Sequence, residues 1–386
     1  MGHNHDIEQY LHSSQEELVQ LIRDLCAIPA PSTQEARRAL FCKEWFEKNG
    51  FKDVFIDQVN NVCCPYHVTS DNDLVVFMAH TDTVFPDLEP MPLSEREGRI
   101  YSPGVTDDTA NLAVLMICAR YIVQHQYQSS TGMLIVANAC EEGLGNLAGS
   151  RAILAAYGSR IKEFISLDGS DLSTVVNQAV GSRRYQITVR TEGGHSFGNF
   201  GNRNAIRCLA SIIDMLYSIK VPAEQNSQTT YNVGLISGGT SVNTIAQEAT
   251  MAYEYRSDNQ LCLAKMENMF EKVIEAYRAT GVEIDVAKIG DRPCSGGVDP
   301  AAYQTLRDRI CRSIQAVLHR EPRFLSGSTD CNIPLSLGIP AICIGVCRGG
   351  GCHTREEWLD TQSLLDGCRI LMELFHYYLQ QAPAAN

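Results

Sequence analysis

Three kinds of segment are missing from this sequence of 386 residues, and each absence argues against a class of protein. No apolar run approaches the roughly 18 residues that a membrane-spanning helix requires, so we expect no membrane partner. No basic cluster occurs, and 32 Lys and Arg against 45 Asp and Glu give a formal net charge of −13, which opposes nucleic-acid binding. No Cys-x-x-Cys pair occurs among the fifteen cysteines, so a structural zinc site of that type is not expected.

The cysteines and the first ten residues bear on the cellular compartment. Cys42, Cys118 and Cys343 lie inside apolar stretches, where free cysteine behaves as a small hydrophobic residue. Residues 1–10 are polar and contain no apolar core of the kind that a signal peptide has. These features predict reduced thiols and a cytoplasmic protein.

The order of polar and apolar patterns predicts two domains, one inserted into the other. Up to about Asp168, apolar strand-like runs alternate with helix-like segments, which is typical of a doubly wound α/β domain with a mostly parallel sheet. From Gly181 the pattern changes to the order β-α-β-β-α-β of a ferredoxin-like α+β unit. The α/β pattern returns at Gly296. We therefore expect one domain of residues 1–180 and 296–386, interrupted by an inserted domain of residues 181–295.

Side chains of the kind that bind metal ions follow the predicted central strands and two loops. The runs 74–79, 133–140 and 164–167 are almost entirely apolar, which is typical of parallel strands buried on both faces. Open α/β sheets place their functional sites at the carboxyl ends of such strands. Two imidazoles and three carboxylates gathered there would suit a pair of divalent ions, and the candidates are His80, Asp107, Glu142, Asp168 and His353.

Two aspartates have separable expected roles beside these ligands. Asp82 follows His80 by two positions and is expected to accept the second ring N–H of that histidine, although a structural histidine at a strand end remains the alternative. Asp108 is expected to cap the following helix, which leaves Asp107 free to bridge two cations.

The pair Glu141-Glu142 ends a predicted buried strand. Two adjacent acids at that position are unfavourable unless they are partnered or bind a metal ion. One can bind the ion while its neighbour faces the substrate water.

These motifs, in this order, resemble the co-catalytic zinc peptidase family that includes peptidase T, glutamate carboxypeptidase, acetylornithine deacetylase and succinyl-diaminopimelate desuccinylase. The resemblance spans nearly the whole chain and rests on His80-Thr81-Asp82, residues 104–109, Glu141-Glu142-Gly143, Leu167-Asp168, Gly193-Gly194-His195-Ser196, residues 239–244 and His353. Residues 290–293 and 353–358 are most similar to the peptidase T-like branch.

The resemblance implies two zinc ions that share one carboxylate. One ion would be held by His80, Asp107 and Asp168. The other would be held by Asp107, Glu142 and His353, and Co²⁺ or Mn²⁺ would also suit these ligands. The peptide bond from Asp107 to Asp108 would be cis.

The resemblance also implies roles in catalysis. A hydroxide shared by the two metals would attack the amide, with Glu141 as general base. His195 in the inserted domain would stabilise the oxyanion, and in relatives this histidine acts across a dimer; a turn histidine at the edge of the lid is the alternative. Asn243 and Arg256 are candidate substrate contacts, but Arg256 could instead pair with Glu254 or Asp258.

The sequence thus predicts a dinuclear metallopeptidase that cleaves short peptides, as a peptidase T-like aminopeptidase or tripeptidase. An N-acyl-amino-acid deacylase or a carboxypeptidase on the same scaffold is the first alternative. An inactive scaffold or binding protein is the alternative from another class. A homodimer through the inserted domain, which would act as a lid, is expected.

Overall fold

The structure is a computed structural model that describes residues 2–224 and 226–379. The chain forms two compact units, which are described separately below. The first unit comprises Met1–Asn177 and Gly296–Asn386, and the second comprises Gln178–Ser295. Among the described residues, no helix combines the length and the apolar character needed to cross a bilayer.

The helices and strands follow one another along the chain with short connections. The helices are α1 (Gly2–Cys26), α2 (Ala36–Lys48), α3 (Asn111–Gln124), α4 (Ala148–Tyr157), α5 (Ala205–Tyr217), α6 (Gln260–Arg278), α7 (Pro300–Leu318), α8 (Asn332–Ser336) and α9 (Leu364–His376). A π-helical turn covers Val105–Ala110, and 3₁₀ turns cover Gly143–Gly145 and Thr361–Ser363.

The strands are β1 (Phe55–Ile56), β2 (Val62–Tyr66), β3 (Leu74–His80), β4 (Ser94–Arg96), β5 (Arg99–Tyr101), β6 (Gly132–Asn138), β7 (Ile161–Leu167), β8 (Thr174–Ala179), β9 (Gly181–Arg190), β10 (Gly194–His195), β11 (Thr229–Gly238), β12 (Thr244–Ile245), β13 (Glu248–Ser257), β14 (Glu283–Arg292), β15 (Arg323–Gly327), β16 (Ala341–Ile344), β17 (Arg348–Gly350) and β18 (Trp358–Asp360).

An eight-stranded sheet in the order β1-β2-β6-β3-β7-β16-β8-β15 organises the first unit. Its central strands β6, β3, β7 and β16 pair in parallel, while β2 and β8 flank them in antiparallel orientation. Every residue of β3 and β6 is buried, as parallel strands covered on both faces require. The strands β17-β18-β5-β4 form a smaller sheet in the same unit. The predicted α/β class is confirmed.

The core of the first unit lies between the central strands and the helices that cover them. Helix α3 is buried from Asn111 to Ile122, so it lies inside the unit and not on its surface. The ring of Phe77 on β3 packs edge-on against Phe375 of α9, with 4.7 Å between ring centroids. This packing fixes the strand that ends at His80.

The second unit is an antiparallel sheet in the order β11-β13-β9-β14 with two helices on one face. Side chains of Tyr185, Ile187 and Val189 on β9 enter its core together with residues of α5 and α6. Asn204 and Asn259 cap these helices through their side chains. Apart from the two-residue strands β10 and β12, which pair with each other, the element order β9-α5-β11-β13-α6-β14 is that of the predicted ferredoxin-like unit.

Candidate metal centre

The sheet places three candidate ligands at the carboxyl ends of adjacent parallel strands. His80 is the last residue of β3, Glu142 follows β6, and Asp168 follows β7. Asp107 lies in the π-helical turn before α3, and His353 lies in the loop after β17. Parallel neighbours end at one edge of the sheet, so segments distant in sequence converge there.

Asp107 lies between the two histidines. Its Oδ1 is 3.0 Å from Nε2 of His80, and its Oδ2 is 3.0 Å from Nε2 of His353. Nε2 of His353 is also 3.0 Å from Oε1 of Glu142. Each carboxylate oxygen of Asp107 therefore faces a different imidazole, which is the arrangement that a bridging ligand requires.

The potential ligand atoms fall into groups of metal-binding size. One group consists of His80, Asp107 and Asp168, and another of Asp107, Glu142 and His353; within each, the ligand atoms lie within 4.8 Å of one another. A further group of the same size joins His80 with Glu141 and Glu142. The structure thus brings all five predicted ligands together, and it also places Glu141 where it could bind an ion.

The charges of this cluster show that it fits divalent cations. Burial, and after it the negative charge of Asp107, raise the pKa of Asp168 to about 7. Hydrogen bonds to Asp107 and Glu142 raise the pKa of His353 to about 11. Burial opposes ionisation of Asp107, but its hydrogen bonds with both histidines hold its pKa well below the usual value. Without an ion, the protons held by Asp168 and His353 offset the carboxylate charge, and a divalent cation can take their place.

Asp82 fixes the backbone on which Glu141 and Glu142 stand. Its Oδ1 accepts a hydrogen bond from the Glu141 N–H at 3.0 Å, and its Oδ2 accepts one from the Glu142 N–H at 2.9 Å. The hydroxyl of Ser32 donates to the same Oδ2 at 2.6 Å. This buried carboxylate therefore determines where both glutamates lie.

The contact between His80 and Asp82 differs from the sequence expectation. Nδ1 of His80 is hydrogen-bonded to the backbone oxygen of Asp82 at 3.0 Å, whereas the Asp82 carboxylate lies 3.5 Å away. The carboxylate is engaged by the glutamate backbone, so the carbonyl takes its place. A carbonyl can only accept, so Nδ1 carries a proton, and Nε2 could bind a metal ion once the ion displaces the proton that Nε2 shares with Asp107.

The expectation that Asp108 caps helix α3 is wrong. The residue lies inside the π-helical turn, and the helix starts after Ala110 without a side-chain cap. Oδ2 of Asp108 accepts the backbone N–H of His80 at 2.8 Å, and Oδ1 accepts from the amide of Asn111 at 2.6 Å. The Asp107–Asp108 peptide bond is cis, as the resemblance implies. Asp108 therefore links the turn to the end of β3.

Two buried side chains that support the site were not found from the sequence. Oε1 of Glu35 accepts the backbone N–H groups of Thr33 at 2.7 Å and Cys140 at 3.1 Å. Glu357 is equally buried and contacts the turn that carries Asp107. In the sequence each is only an acidic residue next to a predicted helix or strand, and acidic residues at such positions are far more often exposed than buried.

The second unit carries the other predicted site residues. His195 is exposed, and its Nδ1 lies 3.2 Å from the backbone nitrogens of Phe197 and Gly198, so it accepts from them. The neutral ring then carries its proton on Nε2. The backbone oxygen of Asn243 accepts the Ser196 N–H at 2.9 Å, which joins the two loops.

Arg256 is engaged within the second unit. Its Nε and Nη2 donate to the carboxylate of Glu254 at 3.0 and 3.1 Å. The structure thus shows the surface pairing that the sequence left open as an alternative to substrate binding.

Comparison with known proteins assigns the family. The model of Peptidase family M20/M25/M40 matches residues 76–377. A succinyl-diaminopimelate desuccinylase from Corynebacterium glutamicum is 23% identical over 359 residues, covering 92% of this chain and 94% of the relative. A tripeptidase from Staphylococcus aureus has a similar structure, with a TM-score of 0.76 and 22% identity. The match covers 94% of this chain and 98% of the tripeptidase. The aminopeptidase PepT from Bacillus cereus has a TM-score of 0.68 and 23% identity, and the match covers 93% of this chain and 97% of PepT.

The structural likenesses show the fold, and the family match includes every predicted ligand. Members of this family are dinuclear-metal enzymes, and the two ligand groups that share Asp107 agree with this. The chain belongs to Peptidase family M20/M25/M40 and is a metal-dependent hydrolase of that family.

Proposed function

We propose that this hydrolase cleaves amide bonds of short peptides, as a peptidase T-like aminopeptidase or tripeptidase. The observation that carries the proposal is the position of Asp107, shared by two ligand groups, with Glu141 beside them. This is a donor set for two ions, next to a carboxylate that can move a proton.

His80, Asp107 and Asp168 would hold one ion, and Asp107, Glu142 and His353 would hold the other. When bound, the two ions supply a water of lowered pKa and an electrophile for the scissile carbonyl. Zn²⁺ suits imidazole and carboxylate ligands, and Co²⁺ and Mn²⁺ suit them as well.

Glu141 serves as the general base in this proposal. Its backbone is fixed by Asp82, and its side chain is buried beside the ligand groups. The carboxylate takes the proton of the attacking water and then delivers it to the nitrogen of the leaving amine. Burial excludes bulk water as a competing proton acceptor.

The second unit contributes the substrate contacts. The Nε2–H of His195 donates to the carbonyl oxygen as negative charge develops there, because Nδ1 is already occupied by backbone donors. Asn243, whose loop is hydrogen-bonded to that of His195, is a further substrate contact. Arg256 can bind a substrate carboxylate only if it first releases the carboxylate of Glu254.

Activity on free peptides is supported by the names of the two structural neighbours, a tripeptidase and an aminopeptidase. A second candidate, an N-acyl-amino-acid deacylase, is supported by the relative named as a desuccinylase. The two functions share the cleavage chemistry and differ in whether the substrate amine is free.

A matched substrate panel separates the two functions. Tripeptides, dipeptides and N-acyl amino acids that share one residue at the cleaved bond are assayed with protein loaded with Zn²⁺, Co²⁺ or Mn²⁺. Faster cleavage of free tripeptides supports the proposal, and faster cleavage of blocked substrates supports the deacylase. A preparation made in the same way from cells that lack this protein measures any contaminating peptidase. The absence of hydrolysis with all three metals contradicts both functions.

We also propose a homodimer through the second unit and a cytoplasmic location. Strand β11 lies at an edge of its sheet and exposes Leu235 and Ile236, and an edge with apolar side chains is suited to pairing with another copy. All fifteen cysteines are free thiols, which supports a reducing compartment.

A further inference from the structure

The carboxylate of Glu357 is buried against the backbone of the turn that carries Asp107. Its Oε2 accepts the N–H of Gly104 at 2.8 Å. Its Oε1 accepts the N–H groups of Thr106 at 2.8 Å and Asp107 at 2.9 Å. Glu357 is 0% exposed, so these three bonds offset part of the hydration that the carboxylate loses.

The backbone of Glu357 belongs to the turn that carries His353. Thr354 N–H donates to the oxygen of Gly351 at 3.0 Å, and Glu357 N–H donates to the oxygen of Thr354 at 3.4 Å. The oxygen of Glu357 accepts the N–H of Ser102 at 3.1 Å, beside the pairing of β18 with β5. One residue therefore links two segments that are about 250 positions apart in the chain.

The positions of the two ligands explain why this link is useful. Asp107 needs one oxygen directed to each ligand group, and His353 belongs to only one of the groups. His353 is also the more exposed histidine, with 56% of its side chain accessible against 1% for His80. Burial and hydrogen bonds with Asp82 and Asp108 thus hold His80, whereas the exposed His353 depends on the turn that ends at Glu357.

We propose that Glu357 is a positioning residue that sets the orientation of Asp107 and the place of the His353 turn, and thereby the affinity for both metal ions. The proposal rests on the two-ion function proposed above. It assigns Glu357 no contact with an ion or with substrate. Its effect passes through three backbone N–H groups.

The test measures metal affinity by competition with a chromophoric chelator, using Zn²⁺ and the full-length protein. Glu357→Gln retains the size of the side chain but replaces one acceptor oxygen with an NH₂ group that faces backbone donors. Loss of such supporting contacts typically lowers metal affinity about 10–100-fold, and we expect this for both ions. Glu356→Gln is the matched control, since Glu356 is the exposed neighbour, and it should bind both ions as the native protein does.

Two further variants separate positioning from a general structural role. His353→Ala should weaken one ion much more than the other, which shows that the assay resolves the two sites. Glu357→Asp keeps both oxygens on a shorter side chain and should give affinities between those of the native protein and Glu357→Gln. If Glu357→Gln fails to fold, Glu357→Asp carries the test.

Two results would overturn the proposal. One is a Glu357→Gln variant, or a Glu357→Asp variant if the first does not fold, that binds both ions as tightly as the native protein does. The other is an affinity loss that is accounted for by partial unfolding of the metal-free variant, as measured by its thermal transition. Because metal binding is read without substrate, failure of the proposed peptidase activity leaves this test unaffected.

Discussion

Glu141 is the residue for which the structure allows two roles, and replacement by glutamine distinguishes them. It lies beside Glu142 at the end of β6, and a group of possible ligands includes both glutamates. As a base it would be needed for turnover but not for metal binding. As a ligand it would be needed for both.

The expected size of the effect follows from this geometry. Glutamine has nearly the volume of glutamate, so the buried side chain remains packed and the backbone bond to Asp82 remains. Only proton transfer is lost, which contributes about 10²–10⁴-fold to a rate. At about 1.4 kcal/mol for each tenfold change, the activation barrier should rise by about 3–5 kcal/mol.

The assay combines kcat at saturating peptide with metal content measured by plasma mass spectrometry. We expect Glu141→Gln to retain two ions and to show a kcat that is about 10²–10⁴-fold lower than that of the native protein. Glu142→Gln is the matched control, because the neighbouring glutamate is a predicted ligand and its variant should lose one ion. Two bound ions with kcat within about tenfold of the native value would refute the role of Glu141 as base. Loss of one ion would make Glu141 a ligand.

Three other predictions concern the second unit and the metal-free site. His195→Ala should lower kcat by about 10²-fold or more with metal content unchanged, and unchanged kcat would remove His195 from the mechanism. Leu235→Glu should halve the mass measured by light scattering, whereas Leu261→Glu, an exposed leucine on α6, should not; a native mass of one chain contradicts the dimer. Metal-free protein should bind Zn²⁺ more tightly as the pH rises from about 6 to about 8, because an ion must displace the protons that the raised pKa values of Asp168 (about 7) and His353 (about 11) retain. Calorimetry in buffers of different ionisation enthalpy measures this proton release, and its absence contradicts the charge argument.

The parts of the fold that could be predicted are those with a strong local pattern. Strand β3 is recognisable because an uninterrupted apolar run has few other meanings in an α/β chain, and the mostly apolar run 164–167 marks the end of β7. His80 and Asp168 followed from those strands, since a polar residue directly after a buried strand lies at the edge of the sheet.

The parts that could not be predicted depend on contacts across the chain. The role of Asp108 required knowledge that a π-helical turn precedes α3, which moves the residue away from the cap position. The role of Glu357 required knowledge of its three backbone partners, which carry no side-chain signal in the sequence. The pairing of Arg256 was open because Glu254 and a substrate carboxylate offer it the same chemistry.

The discontinuity of the first unit affects how the protein is synthesised. Strand β16 pairs with β7 only after the whole second unit has been translated, and His353 follows Asp168 by 185 positions. At about 5–20 residues per second, a ribosome takes roughly 10–40 s to cover that distance. During this interval the nascent chain contains four of the five candidate ligands and lacks the fifth. The order of the segments thus delays assembly of a complete hydrolytic centre until translation is nearly finished.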